Sequence, residues 1–319
     1  MRRWLDAERF PGRRHLAAIA RDHRPASGGG NYAGALAEQV RDRWAAAIGC
    51  APEALVLCAS VAEAARLCCA AFLRPTDTAL LARPSSVTWP AAVLGAGAAF
   101  VDLGRLADGA VDPAGARFAA EAHPGALWLL DAPSLSGADD CADLWSTLEA
   151  AHRSDDGATV VIDASRELAY VGAGGARVAP CSATLLALRD PLAPQAALLC
   201  AVRVGPEDFG GPAALLGPAQ LPAPLLELAL AALQRAEHAD PAALADQAAA
   251  LSEAVTAALT TAVGAHPGVA RLGGLGLHVA LRCDGGDAVA VAKLLGRHGL
   301  CADAYGGGAM RDLVLVARP

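Results

Sequence analysis

A three-layer α/β/α fold on a mainly parallel seven-stranded sheet, with a small C-terminal α+β lobe, is the architecture that this 319-residue sequence predicts. Three observations predict it. From about Asn31 to Val204, short β-like runs alternate with longer helix-like stretches, the pattern of a sheet covered by helices on both faces. The stretches between the runs are long enough for parallel crossovers. A hydrophobic fraction of 54% and a mean hydropathy of +0.34 supply the apolar surface for one large core.

The strand candidates, in order, are ALVLCA (54–59), TALLAR (78–83), AAFVDLG (98–104), ALWLLDA (126–132), TVVIDA (159–164), TLLAL (184–188) and ALLCAVRV (197–204). Helical stretches such as YAGALAEQVRDRWAAAIG, VAEAARLCCAAFL and DLWSTLEAAHRSD lie between them, each closed by Gly, Pro or a polar turn. After Gly210 the Pro/Gly-rich GGPAALLGPAQLPAP leads into an alanine-rich helix at about Leu225 to Glu237, which sets a lobe boundary. A second helix, PAALADQAAALSEAVTAALTTAV, precedes GLGLHVALRC, a helix around AVAVAKLLGRHG and a last strand DLVLVAR. The expected organisation is an N-terminal arm at 1–30, a large domain at 31–224 and a small domain at 225–319. The arm has poor periodicity and ends in the flexible ASGGGN, so it is expected to lie along another surface, that of a partner subunit included.

Composition narrows the function classes. The formal net charge of −7 and the charged fraction of 18% offer no basic field for a phosphate backbone, which argues against nucleic acid. The charged start MRRWLDAERFPGRR lacks the apolar stretch of a secretory signal, and no run approaches the roughly 20 apolar residues of a membrane span. A cytoplasmic location is expected. The nine cysteines, an odd number without a C-x-x-C pair, read as reduced core thiols. GAGAAF at Gly95 precedes a strand and lacks the third glycine of a dinucleotide loop. The histidines and cysteines show no zinc spacing, and no nucleophile elbow or P-loop occurs, so no metal is expected.

The order of segments carries a more specific signal. Glu63-Ala64 follows the first strand, Pro84 to Trp89 the second, DAPSLSG the fourth, VVIDAS the fifth, and LRDPLAP the sixth. This order resembles the fold-type-I pyridoxal-phosphate enzymes, in particular the branch of histidinol-phosphate aminotransferases and threonine-phosphate decarboxylases, over roughly residues 31 to 318. The resemblance implies a cofactor cleft, a two-fold dimer and a place in amino-acid, cobalamin or related biosynthesis.

Most of the chemical residues that the resemblance calls for have changed. Ser60, Val61 and Ala62 stand where it has Gly-Ala-Thr ahead of Glu-Ala, at a helix start that holds the cofactor phosphate; Ser60 also suits an ordinary N-cap. Trp89 stands at the ring that stacks on the pyridine, and Ser134 at the asparagine that meets the ring hydroxyl. Asp163 is unchanged, matching the aspartate that pairs with the pyridine nitrogen, but Arg166 replaces a tyrosine. Arg189 replaces the Schiff-base lysine, Ala187 a phosphate-binding hydroxyl residue, and Ala197 a phosphate-binding arginine. Val314 takes the place of the arginine that clamps a substrate carboxylate, with Arg311 and Arg318 nearby. The chain's single lysine, Lys293, falls on an amphipathic helix of the small lobe and is expected to face solvent.

A guanidinium stays protonated and is a very poor nucleophile, so it cannot form an imine with an aldehyde. The principal expectation is an aminotransferase-like protein without catalysis. It would act as a binding or partner subunit, as a homodimer or with an active paralogue, with no covalent pyridoxal phosphate. Two alternatives stay open: an enzyme that reuses the cleft through Asp163, Arg166, Arg189 and Ser134 for other chemistry on a small molecule, and a pyridoxal-phosphate enzyme whose cofactor is held without an internal imine. A buried Arg189 needs a counter-charge, and an Arg189–Asp163 pair filling the ring's space is the expected solution.

Overall fold

The computed structural model describes residues 29–83, 85, 88–106, 108–132, 134, 140, 144, 146–148, 150, 159–166, 182–191, 193–204, 221–240, 243, 246, 250, 253, 254, 257, 259, 261, 269–273, 278–283, 288–297, 301–305 and 313–317. The N-terminal arm up to residue 28, Pro84, Gly137, Cys141, Cys181, Arg311 and Arg318 lie outside them.

All seven strand candidates are strands of one sheet: β1 (Leu55–Cys58), β2 (Thr78–Leu81), β3 (Ala99–Asp102), β4 (Leu127–Asp131), β5 (Val160–Asp163), β6 (Ala183–Asp190) and β7 (Ala193–Val204). Their spatial order is β1-β7-β6-β5-β4-β2-β3. The pairs β3/β2, β2/β4, β4/β5 and β5/β6 are parallel, and β7 runs against both β6 and β1. The strand order changes direction between β2 and β4: the connection after β2 leads outward to β3, and the one after β4 leads the other way to β5, the divergence at which open α/β sheets form a crevice at the carboxyl ends of their strands.

Successive strand residues alternate between the two faces, and the core follows that period. Leu81, Leu129, Val161, Leu185 and Cys200 face one layer, where they pack with α2 (Val61–Phe72) and Trp89 of α3 (Thr88–Gly95). Leu80, Trp128, Leu130 and Ile162 face the other, against Ala116 and Ala119 of α4 (Pro113–Ala122) and against Leu144 and Leu148. On this second face, at the β1–β7–β6 end, Leu57, Leu186, Leu188 and Ala201 pack against α1 (Gly29–Ile48) and α5 (Ala223–His238) through Val40, Trp44, Leu226 and Leu233. At roughly 1.5 to 3 kcal/mol for each large apolar side chain removed from water, these layers dominate the favourable side of folding. Tyr32 Oη donates to Glu227 at 2.6 Å and ties α1 to α5.

The C-terminal part forms a second sheet of four antiparallel strands in the order β10-β11-β9-β8, from β8 (Val269–Gly273), β9 (His278–Cys283), β10 (Cys301–Tyr305) and β11 (Leu313–Ala317). Leu281 and Cys283 pack against Val291 and Leu295 of α6 (Ala288–Arg297). Lys293 is on the exposed side of α6, as its amphipathic pattern predicts, and Val314 lies in β11 opposite Leu281. No described helix is long and apolar enough to cross a membrane.

Candidate functional site

The crevice residues are delivered by strand ends. β4 and β5 both finish on an aspartate, and their parallel register sets Asp131 beside Asp163. Both are buried, at 2% and 0% exposure. Asp131 accepts a hydrogen bond from Trp89 Nε1 at 3.3 Å, and its other oxygen lies 3.2 Å from Arg166 Nη1. Three segments therefore meet at one carboxyl: the first turn of α3, the end of β4 and the turn after β5. Burial pushes the Asp131 carboxyl up to about 6; Arg166 opposes that shift and the neighbouring Asp163 reinforces it.

Asp163 Oδ1 accepts from the backbone N–H of Ser165 at 2.9 Å, a local turn that fixes the carboxylate at the strand end. Its Oδ2 is buried and has no hydrogen-bond partner among the described residues. Arg189 comes in from the end of β6, where register shifts on both sides of it interrupt the ladder with β7, an irregularity that re-aims side chains. Arg189 is 5% exposed and its Nη2 donates to the Ser165 carbonyl at 2.6 Å. Burial lowers its pKa to about 10; Cys200 and Asp163 work against that shift and Arg166 adds to it, so it is cationic at neutral pH.

The expected Arg189–Asp163 ion pair is not made. Arg189 turns to the Ser165 carbonyl, which already lies beside the strand end, and its attraction to Asp163 acts through space. The counter-charge is spread over the cluster: two buried carboxylates, Asp131 and Asp163, sit among two guanidiniums, Arg166 and Arg189. The next residue, Asp190, is 0% exposed and takes Arg235 of α5, whose Nε donates to Oδ1 at 3.0 Å and whose Nη2 bonds the other oxygen. That pair anchors the β6–β7 hairpin on the helical layer beneath it.

Ser60 is the N-cap of α2. Its Oγ accepts from Glu63 N at 3.2 Å, and the Glu63 carboxylate accepts from Ala59 N at 2.7 Å, a reciprocal capping box. Ser134 is buried at 4% just beyond β4, and Ala197 is exposed on β7. The structure thus gathers Trp89, Asp163, Arg166 and Arg189 into one cluster, while Ser60 Oγ serves as the acceptor that caps its own helix.

Asp131 is the residue that sequence reasoning missed. The signal was present in the parallel runs WLLD and VVID, which end on acids at equivalent places. Among the described residues, no group of three or more His, Cys, Asp or Glu side chains is disposed to hold a metal ion.

No protein-family model matches this sequence, and no curated protein matches it. Solved structures do. The match to histidinol-phosphate aminotransferase from Sinorhizobium meliloti, in complex with pyridoxal-5'-phosphate, has a TM-score of 0.68 at 16% identity and covers 95% of this chain and 82% of that one. A putative histidinol-phosphate aminotransferase from Erwinia carotovora atroseptica gives a TM-score of 0.72 at 14% identity, covering 95% and 86%. The L-threonine-O-3-phosphate decarboxylase from Porphyromonas gingivalis gives 0.62 at 14%, covering 96% and 92%. The fold is therefore that of the fold-type-I pyridoxal-phosphate-dependent transferases. Within that fold the chain is similar to histidinol-phosphate aminotransferases and threonine-phosphate decarboxylase along nearly its whole length.

Proposed function

We propose that this chain is a non-catalytic relative of the aminotransferase and decarboxylase group, serving as a binding or partner subunit in amino-acid, cobalamin or related biosynthetic metabolism. The observation that carries the reading is Arg189. It lies at the end of β6, buried, with its guanidinium committed to the Ser165 carbonyl, at the position where the resemblance places the imine-forming amine. Arginine there stays protonated and cannot capture a carbonyl. Lys293 is exposed on α6 and offers no substitute.

Pyridoxal phosphate, named with one of the structural neighbours, would meet a donor set here that suits it at one position and not at the others. The buried Asp163 Oδ2 suits a protonated ring nitrogen. The remaining positions do not fit: Arg189 supplies no amine, and Ala187 and Ala197 supply no side-chain donor for a phosphate; Ser60, whose Oγ accepts from Glu63 N, keeps an O–H to donate but cannot replace those losses.

In this reading the protein is cytoplasmic and pairs two-fold, with itself or with an active paralogue, and its arm at 1–30 packs on the partner. The large domain spans 31–224 and the small domain 225–319. The test is purification of the full chain, saturation with pyridoxal phosphate, borohydride reduction and intact-mass measurement, alongside a transamination assay. The expected result is no stoichiometric reduced adduct and no turnover. One equivalent of adduct, or turnover above background, overturns the proposal.

A second reading, an enzyme that reuses the cleft for other chemistry, draws support from Asp131. A buried carboxyl held near pH 6 between an indole N–H and a guanidinium can give or take a proton at neutral pH. Ser134, Asp163, Arg166 and Arg189 would then bind and orient a small polar substrate. Its mark would be a turnover that Asp131→Asn abolishes in a folded protein; a variant as active as the parent removes the support.

A further inference from the structure

β1 is a four-residue strand at the edge of the large sheet, with β7 as its only neighbour among the described residues. The register of that antiparallel pair sets Cys58 directly opposite Cys200. Opposed residues of an antiparallel ladder have Cα atoms about 4.5 to 5.5 Å apart, within the roughly 4.4 to 6.8 Å that a disulfide spans. Both side chains point into the same buried layer beneath α2, and both are free thiols. They are on the same face, in register and adjacent. From this geometry we propose that Cys58 and Cys200 are an oxidisable pair that forms an internal disulfide and staples the edge strand to the sheet.

Access is governed by the fold. Cys58 is 0% exposed and Cys200 2%, yet Ala59 and Ser60, which follow Cys58, are exposed. A short edge strand whose end reaches solvent opens more readily than the central strands. In the closed state, burial pushes both thiols up to about 12, with Glu63 adding to the shift at Cys58 and Asp163 to that at Cys200, which keeps the thiolates scarce. Fraying of β1 carries Cys58 toward water first and leaves Cys200 on β7.

The chemistry is thiol–disulfide exchange, with glutathione disulfide as the oxidant. The Cys58 thiolate attacks one glutathione sulfur, the glutathione S–S bond breaks, and one glutathione leaves as a thiol after taking up a proton. The Cys200 thiolate then attacks Cys58 Sγ, displaces the second glutathione and closes the internal S–S bond. Two protein thiols are oxidised and two glutathiones are released, each carrying one of the two protons. The link fixes the strand that leads into the Ser60 cap.

The experiment treats the full reduced chain with glutathione disulfide, blocks remaining thiols by alkylation in denaturant, and maps disulfide-linked peptides by mass spectrometry. The expected product is one internal link per chain joining the Cys58 and Cys200 peptides. It is reversed by dithiothreitol and accompanied by a rise in Tm on the order of 10 °C, since the link closes a loop of more than a hundred residues. Cys58→Ala and Cys200→Ala should each abolish it. The mapping needs only the parent protein, so an unstable variant leaves the test intact. A link from Cys58 to Cys68, mixed glutathione adducts alone, or thiols that react only when the whole protein unfolds would each overturn the proposal.

Discussion

Replacing Asp131 by asparagine isolates the most perturbed carboxyl in the crevice. In the folded chain this group keeps its proton until about pH 6, against an ordinary value of 3.8. The folded state therefore binds a proton more tightly than the unfolded state does. The stability that results is fully present below about pH 4 and is lost as pH rises through about 6. At roughly 1.4 kcal/mol for each tenfold change in proton affinity, the difference across that window is about 2 to 3 kcal/mol. Asparagine keeps an acceptor for Trp89 Nε1 and carries no charge, so it cannot take part. Urea unfolding of both proteins at half-unit steps from pH 4 to pH 7.5 reads the effect. The stability of the parent minus that of Asp131→Asn should fall by about 2 to 3 kcal/mol as pH rises. A difference that is flat, or that grows with pH, would refute the assignment of a raised proton affinity to this carboxyl.

Arg189→Lys supplies an amine but does not restore the donors missing at Ala187 and Ala197; borohydride trapping with pyridoxal phosphate should find far less than one adduct per chain. Arg105, 0% exposed at its side chain, grips Asp140 through two hydrogen bonds of 2.7 and 2.9 Å and also donates to the Ala82 and Gly109 carbonyls. Arg105→Met should cost about 3 to 5 kcal/mol in urea unfolding because it leaves Asp140 buried without its cation; in the double variant with Asp140→Leu, much of that loss should return. Ser60→Ala removes one arm of the capping box and should lower stability by about 1 kcal/mol, read by the same titration.

The large sheet was legible because its strands are short apolar runs bracketed by polar turns, and each run found its partner. Boundaries were less so. TLLAL and ALLCAVRV read as ending at Leu188 and starting at Ala197, whereas β6 runs on to Asp190 and β7 begins at Ala193. Cross-strand pairing holds those polar residues in the ladder despite their weak strand propensity. The short, almost wholly apolar α3 and the strands VARLG and CADAY carry little periodic contrast. In the site, Asp163 and Arg189 could be placed from spacing. Their hydrogen bonds could not, because the choice of the Ser165 carbonyl over the Asp163 carboxylate depends on the bulged geometry at Arg189. Asp131 escaped notice although WLLD and VVID both end on an acid, since the pairing of those two ends belongs to the sheet and not to either run.

The reversal of β7 has a topological corollary. Because it returns along β1, with Leu55 paired to Arg203, the first and last residues of the central sheet segment come to rest as neighbours. A peptide bridge could join them, and fresh termini could be opened at a surface turn such as the one after α2, where Arg74, Pro75 and Thr76 are exposed. A circularly rearranged segment 55–204 would then keep its strand contacts, provided that α1 and α5 still cover the face of Leu57, Leu186, Leu188 and Ala201.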